Sequence, residues 1–144
     1  MSEHIAKVSW IKQGEFSHEG INRNHIIQFE KNCSLQAAGA NNGKTSDPEQ
    51  MFAASLSSCH MQTFLILASK KRLVVESYED EAVAVLERNA DGLSHVSRVI
   101  LNPKVVFSVD TPVSKEVLDK MHEKSHKHCF IANSISCEVK IEGQ

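Results

Sequence analysis

Apolar positions first recur at every second residue, then crowd into one long run, and then alternate again. Val8, Trp10 and Ile11 give residues 6–12 a strand-like pattern, and residues 14–20 read as a turn or loop between glycines. Over residues 25–38, the alternation Ile27, Phe29 and then Cys33, Leu35, Ala37 predicts a second strand with a short turn near Lys31-Asn32. Residues 39–46 form a Gly/Asn-rich loop. Asp47-Pro48-Glu49-Gln50 then marks a helix start: Asp47 as N-cap, Pro48 at the first helical position, Gln50 where a capping box needs it. Residues 51–69 contain no Asp, Glu, Lys or Arg, and Lys70-Lys71-Arg72 sets positive charge against the C-terminal dipole, so the helix ends near Lys70.

Two further strands follow at residues 77–88 and 95–107, separated by the turn Asn89-Ala90-Asp91-Gly92. Their apolar positions, Val83 and Val85 against Val96, Ile100, Val105 and Phe107, suit a sheet with one covered face. Thr111-Pro112-Val113-Ser114 caps a second helix running to about His128, and a last strand at 134–141 alternates Ile135, Cys137, Val139 and Ile141. Strands and helices come in runs, which predicts an α+β fold: a single domain over residues 1–144, mainly antiparallel, with helices on one face. The first helix is apolar nearly all round and needs cover beyond its sheet side; a homodimer burying it between subunits supplies that cover.

Composition narrows the partners. The chain has 144 residues, 41% hydrophobic and 24% charged, as in an ordinary soluble domain. Its net charge of −2 is spread over intermixed acids and bases, so neither nucleic acid nor anionic lipid is expected as a partner. Met1-Ser2-Glu3-His4-Ile5-Ala6-Lys7 lacks the apolar core of a secretory signal, which makes the cytoplasm the expected compartment. The uncharged run is long enough to test as a membrane span, but Ser55, Ser57, Ser58, His60, Gln62 and Thr63 crowd its centre. A buried helix and no membrane partner are expected. In a reducing compartment the four cysteines read as catalytic, redox-active or inert thiols rather than a disulfide framework.

Two chemistries compete. His122-Glu123-Lys124-Ser125-His126 spells H-E-x-x-H, which on a helix places two imidazoles on one face, as in zinc-dependent hydrolases. A third ligand would have to be His128, Cys129 or a distant residue. Against this stands a solvent-exposed helix face rich in His, Lys and Glu, in a chain with eight histidines. The alternative is thiol chemistry at Cys59, in the middle of the apolar helix, and Cys129, just after the histidine-rich segment. A thiol of pKa about 8.5 is only about 3% thiolate at pH 7. Lowering that pKa to about 5.5 raises the fraction above about 90%, for roughly 4 kcal/mol of differential charge stabilisation. An apolar helix pushes the other way by desolvation, so a reactive Cys59 needs a cation from elsewhere in the fold. Standing alone it would be a small packed hydrophobe.

It does not stand alone. The stretch from Asp47-Pro48-Glu49 to Ser58-Cys59-His60 resembles the helix of the OsmC/Ohr family, the osmotically inducible and organic-hydroperoxide-resistance proteins, and Glu49 and Cys59 keep that family's ten-residue interval. His128-Cys129-Phe130-Ile131-Ala132-Asn133-Ser134 resembles its second-cysteine segment, and Ser77-Tyr78-Glu79-Asp80-Glu81-Ala82 a strand of one OsmC-like branch. The resemblance covers nearly the whole chain. It implies a homodimeric thiol peroxidase for organic hydroperoxides, without metal or organic cofactor. Cys59 would attack the O–O bond and become a sulfenic acid. Cys129 would condense with it to a disulfide, which an external dithiol or lipoyl-type reductant would reopen. That bond needs the two Cα atoms within about 7 Å.

The resemblance also implies an arginine, held by Glu49, that lowers the thiol pKa. Arg23, in Asn22-Arg23-Asn24-His25, is the only arginine before the helix. Ten residues of continuous helix separate Glu49 from Cys59 by about 15 Å. Either the helix breaks between them, or Glu49 and Arg23 of one chain join Cys59 and Cys129 of the other in an intertwined dimer; the second arrangement is expected. Cys33 and Cys137 read as packed core thiols. Phe52, Met61, Phe64, Phe130 and Ile131 suit either a pocket wall or core packing. The remaining alternatives are a zinc-dependent hydrolase through His122, Glu123 and His126, and a non-catalytic dimer that binds an apolar ligand.

Overall fold

Backbone donors left free at a helix start need acceptors, and Asp47 and Gln50 supply them reciprocally. The Gln50 amide donates to Asp47 Oδ1 at 2.7 Å, and the Asp47 amide donates to Gln50 Oε1 at 3.1 Å. The capping box read from the sequence is formed. A computed structural model describes residues 1–39 and 43–143; residues 40–42 of the expected Gly/Asn-rich loop lie outside the described residues. The elements in order are β1 (Lys7–Ser9), β2 (His25–Glu30), β3 (Cys33–Ala37), α1 (Pro48–Lys70), β4 (Val75–Asp80), β5 (Val83–Arg88), β6 (Ser94–Leu101), β7 (Pro103–Phe107), α2 (Lys115–His128) and β8 (Glu138–Ile141). A short 3-10 turn at Ala132–Ser134 precedes β8. This is the expected α+β class, antiparallel except where β8 runs parallel to β6 and where Ala37 bridges Ser46.

The chain divides into two compact units, Met1–Met51 and Phe52–Gln144. In the first, β1, β2 and β3 form an antiparallel sheet in that order, with the β2–β3 hairpin turning at Lys31-Asn32 as the alternation predicts. Among its described residues the buried apolar side chains are Ile27, Ala37 and Ala38, while Val8, Trp10, Ile11, Phe16, Ile26 and Phe29 are exposed. Cys33, expected in the core, is exposed too. It begins β3 beside the hairpin turn, where the sheet has no cover.

In the second unit, each of the two expected long strands is divided. The first is β4 and β5; the second is β6 and β7. β4 pairs with β7, and β5 with β6, in separate sheets. The division falls at Glu81-Ala82 and at Asn102, which lie outside the strands, and hydrogen bonds hold the two breaks together. The Asn102 amide donates to Asp80 Oδ1 at 2.7 Å, and Asn102 Nδ2 donates to the Glu81 carbonyl at 3.1 Å. Ser57 Oγ on α1 also donates to Asp80. The last strand is shorter than expected, because Ser134 closes the 3-10 turn and pairing begins only at Glu138.

α1 buries one stripe, Ala53, Leu56, His60, Phe64 and Ala68, at the spacing of a single helix face. Its opposite stripe, Ser55, Ser58, Gln62, Ile66 and Ser69, is exposed, so the all-round burial expected from its lack of charge is not met within one chain. Length and composition alone would let α1 cross a membrane; its packed stripe makes it a core helix of a soluble domain. α2 starts at Ser114, whose Oγ accepts the Val117 amide at 3.3 Å. Two apolar clusters result. Ala53, Leu56, Val99, Leu101 and Cys129 form the first. Phe64, Ala68 and Met121, with Tyr78, Val105 and Phe107 against them, form the second.

Candidate functional site

The two cysteines singled out in the sequence meet. Cys59 projects from α1 into the first apolar cluster, whose buried members include Cys129. Cys129 caps the C-terminus of α2, its amide donating to the His126 carbonyl at 3.2 Å, and the Ala132 amide donates to its Sγ at 3.4 Å. Cys129 is fully buried and Cys59 half-buried; both are free thiols. Burial first, and then the neighbouring Cys59 thiol, push the Cys129 thiol up to about 11, against the opposing pull of the Ala132 amide. The arrangement sets a neutral, shielded thiol against a more accessible one. Cys137 packs against the same cluster, as a core thiol should.

The histidines depart from expectation. The H-E-x-x-H segment lies on α2, but its face is not solvent-exposed: His122 is 4% exposed, while Glu123, Lys124 and His128 point outward. His122 Nδ1 lies 3.0 Å from Nε2 of His60, which is 1% exposed on the buried stripe of α1. The two rings stack at 5.4 Å between centroids and 8° between planes, and Phe64 stacks on His122 at 4.6 Å. Burial foremost, then the neighbouring His122 and His126, lower the pKa of His60 to about 4. Burial likewise lowers that of His122, against Asp119 and Asp80, which raise it. Both rings are therefore neutral near pH 7. No group of three His, Cys, Asp or Glu among the described residues is placed to hold a metal ion, and His122 has another partner, so these side chains do not fit a hydrolytic zinc centre. This imidazole pair is what motif-reading missed. The helical stripes Leu56–His60–Phe64 and Leu118–Met121–His122–Ser125 carry the signal for it.

Arg23 and Glu49 belong to the first unit, where both line a cavity of about 740 Å³ with Val8, Trp10, Phe16, Ile21 and His25. Trp10 Nε1 donates to the Asn22 carbonyl at 2.7 Å and the Asn24 amide to Asn22 Oδ1 at 2.9 Å, which fixes the turn that carries Arg23. The guanidinium lies over Gly39: a Cβ built there would come within 2.1 Å of Nη2. Arg23 and Glu49 share the cavity but form no ion pair with each other. α1 runs unbroken from Pro48 to Lys70, which removes the alternative of a helix interrupted between Glu49 and Cys59. Of Phe52, Met61, Phe64, Phe130 and Ile131, which suited either a pocket wall or core packing, most take the second role. Phe64 is fully buried core, Phe52 and Ile131 pack against the thiol cluster, and Phe130 is 81% exposed.

Comparison with known proteins gives the family and the fold. The sequence pattern of the OsmC-like protein family matches residues 41–143. The fold is similar to that of an OsmC-like protein of unknown function from Vibrio cholerae, with 39% identity over 100% of both chains and a TM-score of 0.92. It is similar to an organic hydroperoxide resistance protein OsmC from Legionella pneumophila, at 20% identity, TM-score 0.73, covering 98% of this chain and 96% of that one. It is also similar to the organic hydroperoxide resistance protein OhrB of Bacillus subtilis, at 19% identity, TM-score 0.68, covering 97% and 98%. No curated protein sequence matches. With the family pattern spanning most of the chain and a Vibrio relative aligned end to end, the chain belongs to the OsmC-like protein family.

Proposed function

We propose that this protein is a thiol-dependent peroxidase that reduces organic hydroperoxides, with Cys59 as the attacking thiol and Cys129 as the resolving one. The contact between these two thiols, seventy residues apart, carries the reading. Cys59 attacks the distal oxygen of the hydroperoxide; the alcohol leaves with a proton, and Cys59 becomes a sulfenic acid. Cys129 then attacks the Cys59 sulfur, its proton leaves with the hydroxide as water, and a disulfide remains for an external dithiol to reduce. The hydroperoxide-resistance proteins that share this fold support the assignment.

Arg23 and Glu49 complete the site from a second copy of the chain. A first unit that leaves Val8, Ile11, Phe16, Ile26 and Phe29 exposed needs apolar cover, and a homodimer provides it. The cavity beside Arg23 is mostly apolar, which suits the organic part of a hydroperoxide.

Consumption of cumene hydroperoxide with dithiothreitol and a metal chelator tests the reading. Wild type should turn over and Cys59→Ser should be inactive; without dithiothreitol, wild type should consume one equivalent and form a Cys59–Cys129 disulfide, whereas Cys129→Ser should consume one equivalent and hold a sulfenic acid. No turnover by wild type, or turnover abolished by chelation, would overturn it. Mixing Arg23→Ala with Cys59→Ser protein tests the shared site. Random pairing restores about one quarter of wild-type activity if each site draws on two chains, and none if it does not.

A further inference from the structure

Both helices of the second unit run between the same two apolar clusters. On α1, Ala53 and Leu56 belong to the thiol cluster, and Phe64 and Ala68 to the aromatic one. On α2, Met121 belongs to the aromatic cluster, and Cys129, just past the helix end, to the thiol one. His60 and His122 lie between the clusters, one on each helix, and their 3.0 Å hydrogen bond joins α1 to α2. His60 directly follows Cys59. His122 stands seven residues, about two turns, before Cys129.

The pair is costly to keep. His60 Nδ1 and His122 Nε2 are buried without a protein partner, and two apolar side chains of similar shape would cost the core little. What apolar side chains lack is direction. A hydrogen bond fixes both distance and angle, whereas apolar contact tolerates sliding. A slip of one residue along α1 would move Cys59 by about 1.5 Å relative to Cys129, enough to spoil the narrow geometry of a disulfide. Phe64, stacked on His122 at 4.6 Å, holds that ring from the other side.

We propose that His60 and His122 are positioning residues for the thiol pair: their hydrogen bond fixes α1 against α2 in the register at which Cys59 and Cys129 meet, and so sets the effective concentration of one thiol toward the other. The proposal rests on the redox reading of these cysteines, but its measurement needs no hydroperoxide.

The protein is equilibrated in buffers of oxidised and reduced dithiothreitol, quenched with acid and alkylated. The Cys59–Cys129 disulfide is then quantified by peptide mass spectrometry. In this exchange the two protein thiols are oxidised and the dithiothreitol disulfide is reduced, two electrons and two protons passing between them. His60→Leu and His122→Leu should each lower the equilibrium constant roughly tenfold. His122→Gln, which keeps a donor and an acceptor, should recover part of the loss. Val105→Ala, which weakens the aromatic cluster, should lower the melting temperature and leave the constant within about twofold of wild type. If either single leucine variant fails to fold, the double variant, with no orphaned ring nitrogen, takes its place. A wild-type constant in the leucine variants, an equal loss in Val105→Ala, or no Cys59–Cys129 disulfide in wild type at any buffer ratio would overturn the proposal. A disulfide that depends on the histidines in a protein that consumes no hydroperoxide supports the positioning role and overturns only the peroxidase reading.

Discussion

Acidifying the protein should loosen the second unit at its imidazole pair. The folded protein holds His60 neutral down to about pH 4, against 6.5 for a free histidine, chiefly because burial penalises the charged ring. His122 is lowered by the same cause. Below pH 6.5 the unfolded chain therefore takes up protons that the folded chain refuses. The contribution is complete above pH 6.5, declines as pH falls, and is fully lost at about pH 4. At 1.36 kcal/mol per pKa unit, the His60 gap alone is worth about 3 kcal/mol, of which about 2 kcal/mol is lost by pH 5. A domain of ordinary stability has 5–15 kcal/mol in all, so the effect is within easy reach of measurement.

The other groups facing the pair do not reverse the sign. Asp80 on β4 and Asp119 on α2 raise the pKa of His122, but less than burial lowers it, and His126 adds like charge against His60. The Tyr78 phenol, pushed up by burial, stays neutral throughout. The assay is guanidinium unfolding followed by helical circular dichroism, in reductant, at pH 7.5, 6.5, 5.5 and 5.0. Wild type is compared with the double variant His60→Leu/His122→Leu, which cancels the background from other titrating groups. Wild type should lose at least about 2 kcal/mol more than the variant between pH 7.5 and 5.0. Parallel pH profiles would refute the reasoning and would mean that the pair already carries charge in the folded protein.

Three further outcomes follow from the packing. Gly39→Ala puts a Cβ within 2.1 Å of Arg23 Nη2 and must displace the guanidinium; hydroperoxide turnover should fall roughly tenfold while the melting temperature stays within about 2 °C, and unchanged turnover would remove Arg23 from the site. Asp80→Ala leaves the Asn102 amide and the Ser57 hydroxyl without their acceptor; chemical denaturation should register a loss of about 2–4 kcal/mol, and Asp80→Asn a smaller one. Phe64→Ala empties a fully buried position against Tyr78, Phe107 and His122; the expected loss of stability is about 3–5 kcal/mol.

Legibility in the sequence followed how local each determinant is. The start of α1 was readable because a capping box is complete within Asp47, Pro48 and Gln50, and its end because Lys70 completes a helix dipole. The β2–β3 hairpin was readable from its own alternation. The break between β4 and β5 was not, because Glu79-Asp80-Glu81-Ala82 contains neither Gly nor Pro to mark a turn. The Asp80–Asn102 bond that accompanies the break spans twenty-two residues. Cys33 was misread for a related reason: period-two alternation identifies a face, but not whether anything covers that face. At the site, the thiols were found through a motif. The imidazole pair was not found, since H-E-x-x-H offered His122 either a minor metal reading or a solvent-exposed face, while the stripe it shares with Leu118, Met121 and Ser125 placed it in the core.

In the proposed peroxidase, the thiol pair and the imidazole pair would answer one chemical difficulty between them. A resolving thiol must not compete for the hydroperoxide, yet it must reach the sulfenic acid once that forms. Burial keeps Cys129 protonated well above neutral pH, so it is a poor nucleophile while Cys59 reacts. A buried thiol cannot search for its partner, however, so the partner has to be delivered at the right place. Condensation balances in protons, because the departing hydroxide takes up the Cys129 proton and leaves as water. What remains to be supplied is position, and a rigid link between α1 and α2 close to Cys59 supplies it without adding a charge to the core. Neutral imidazoles meet that requirement where a salt bridge would not: a buried ion pair would carry a desolvation penalty of several kcal/mol per charge.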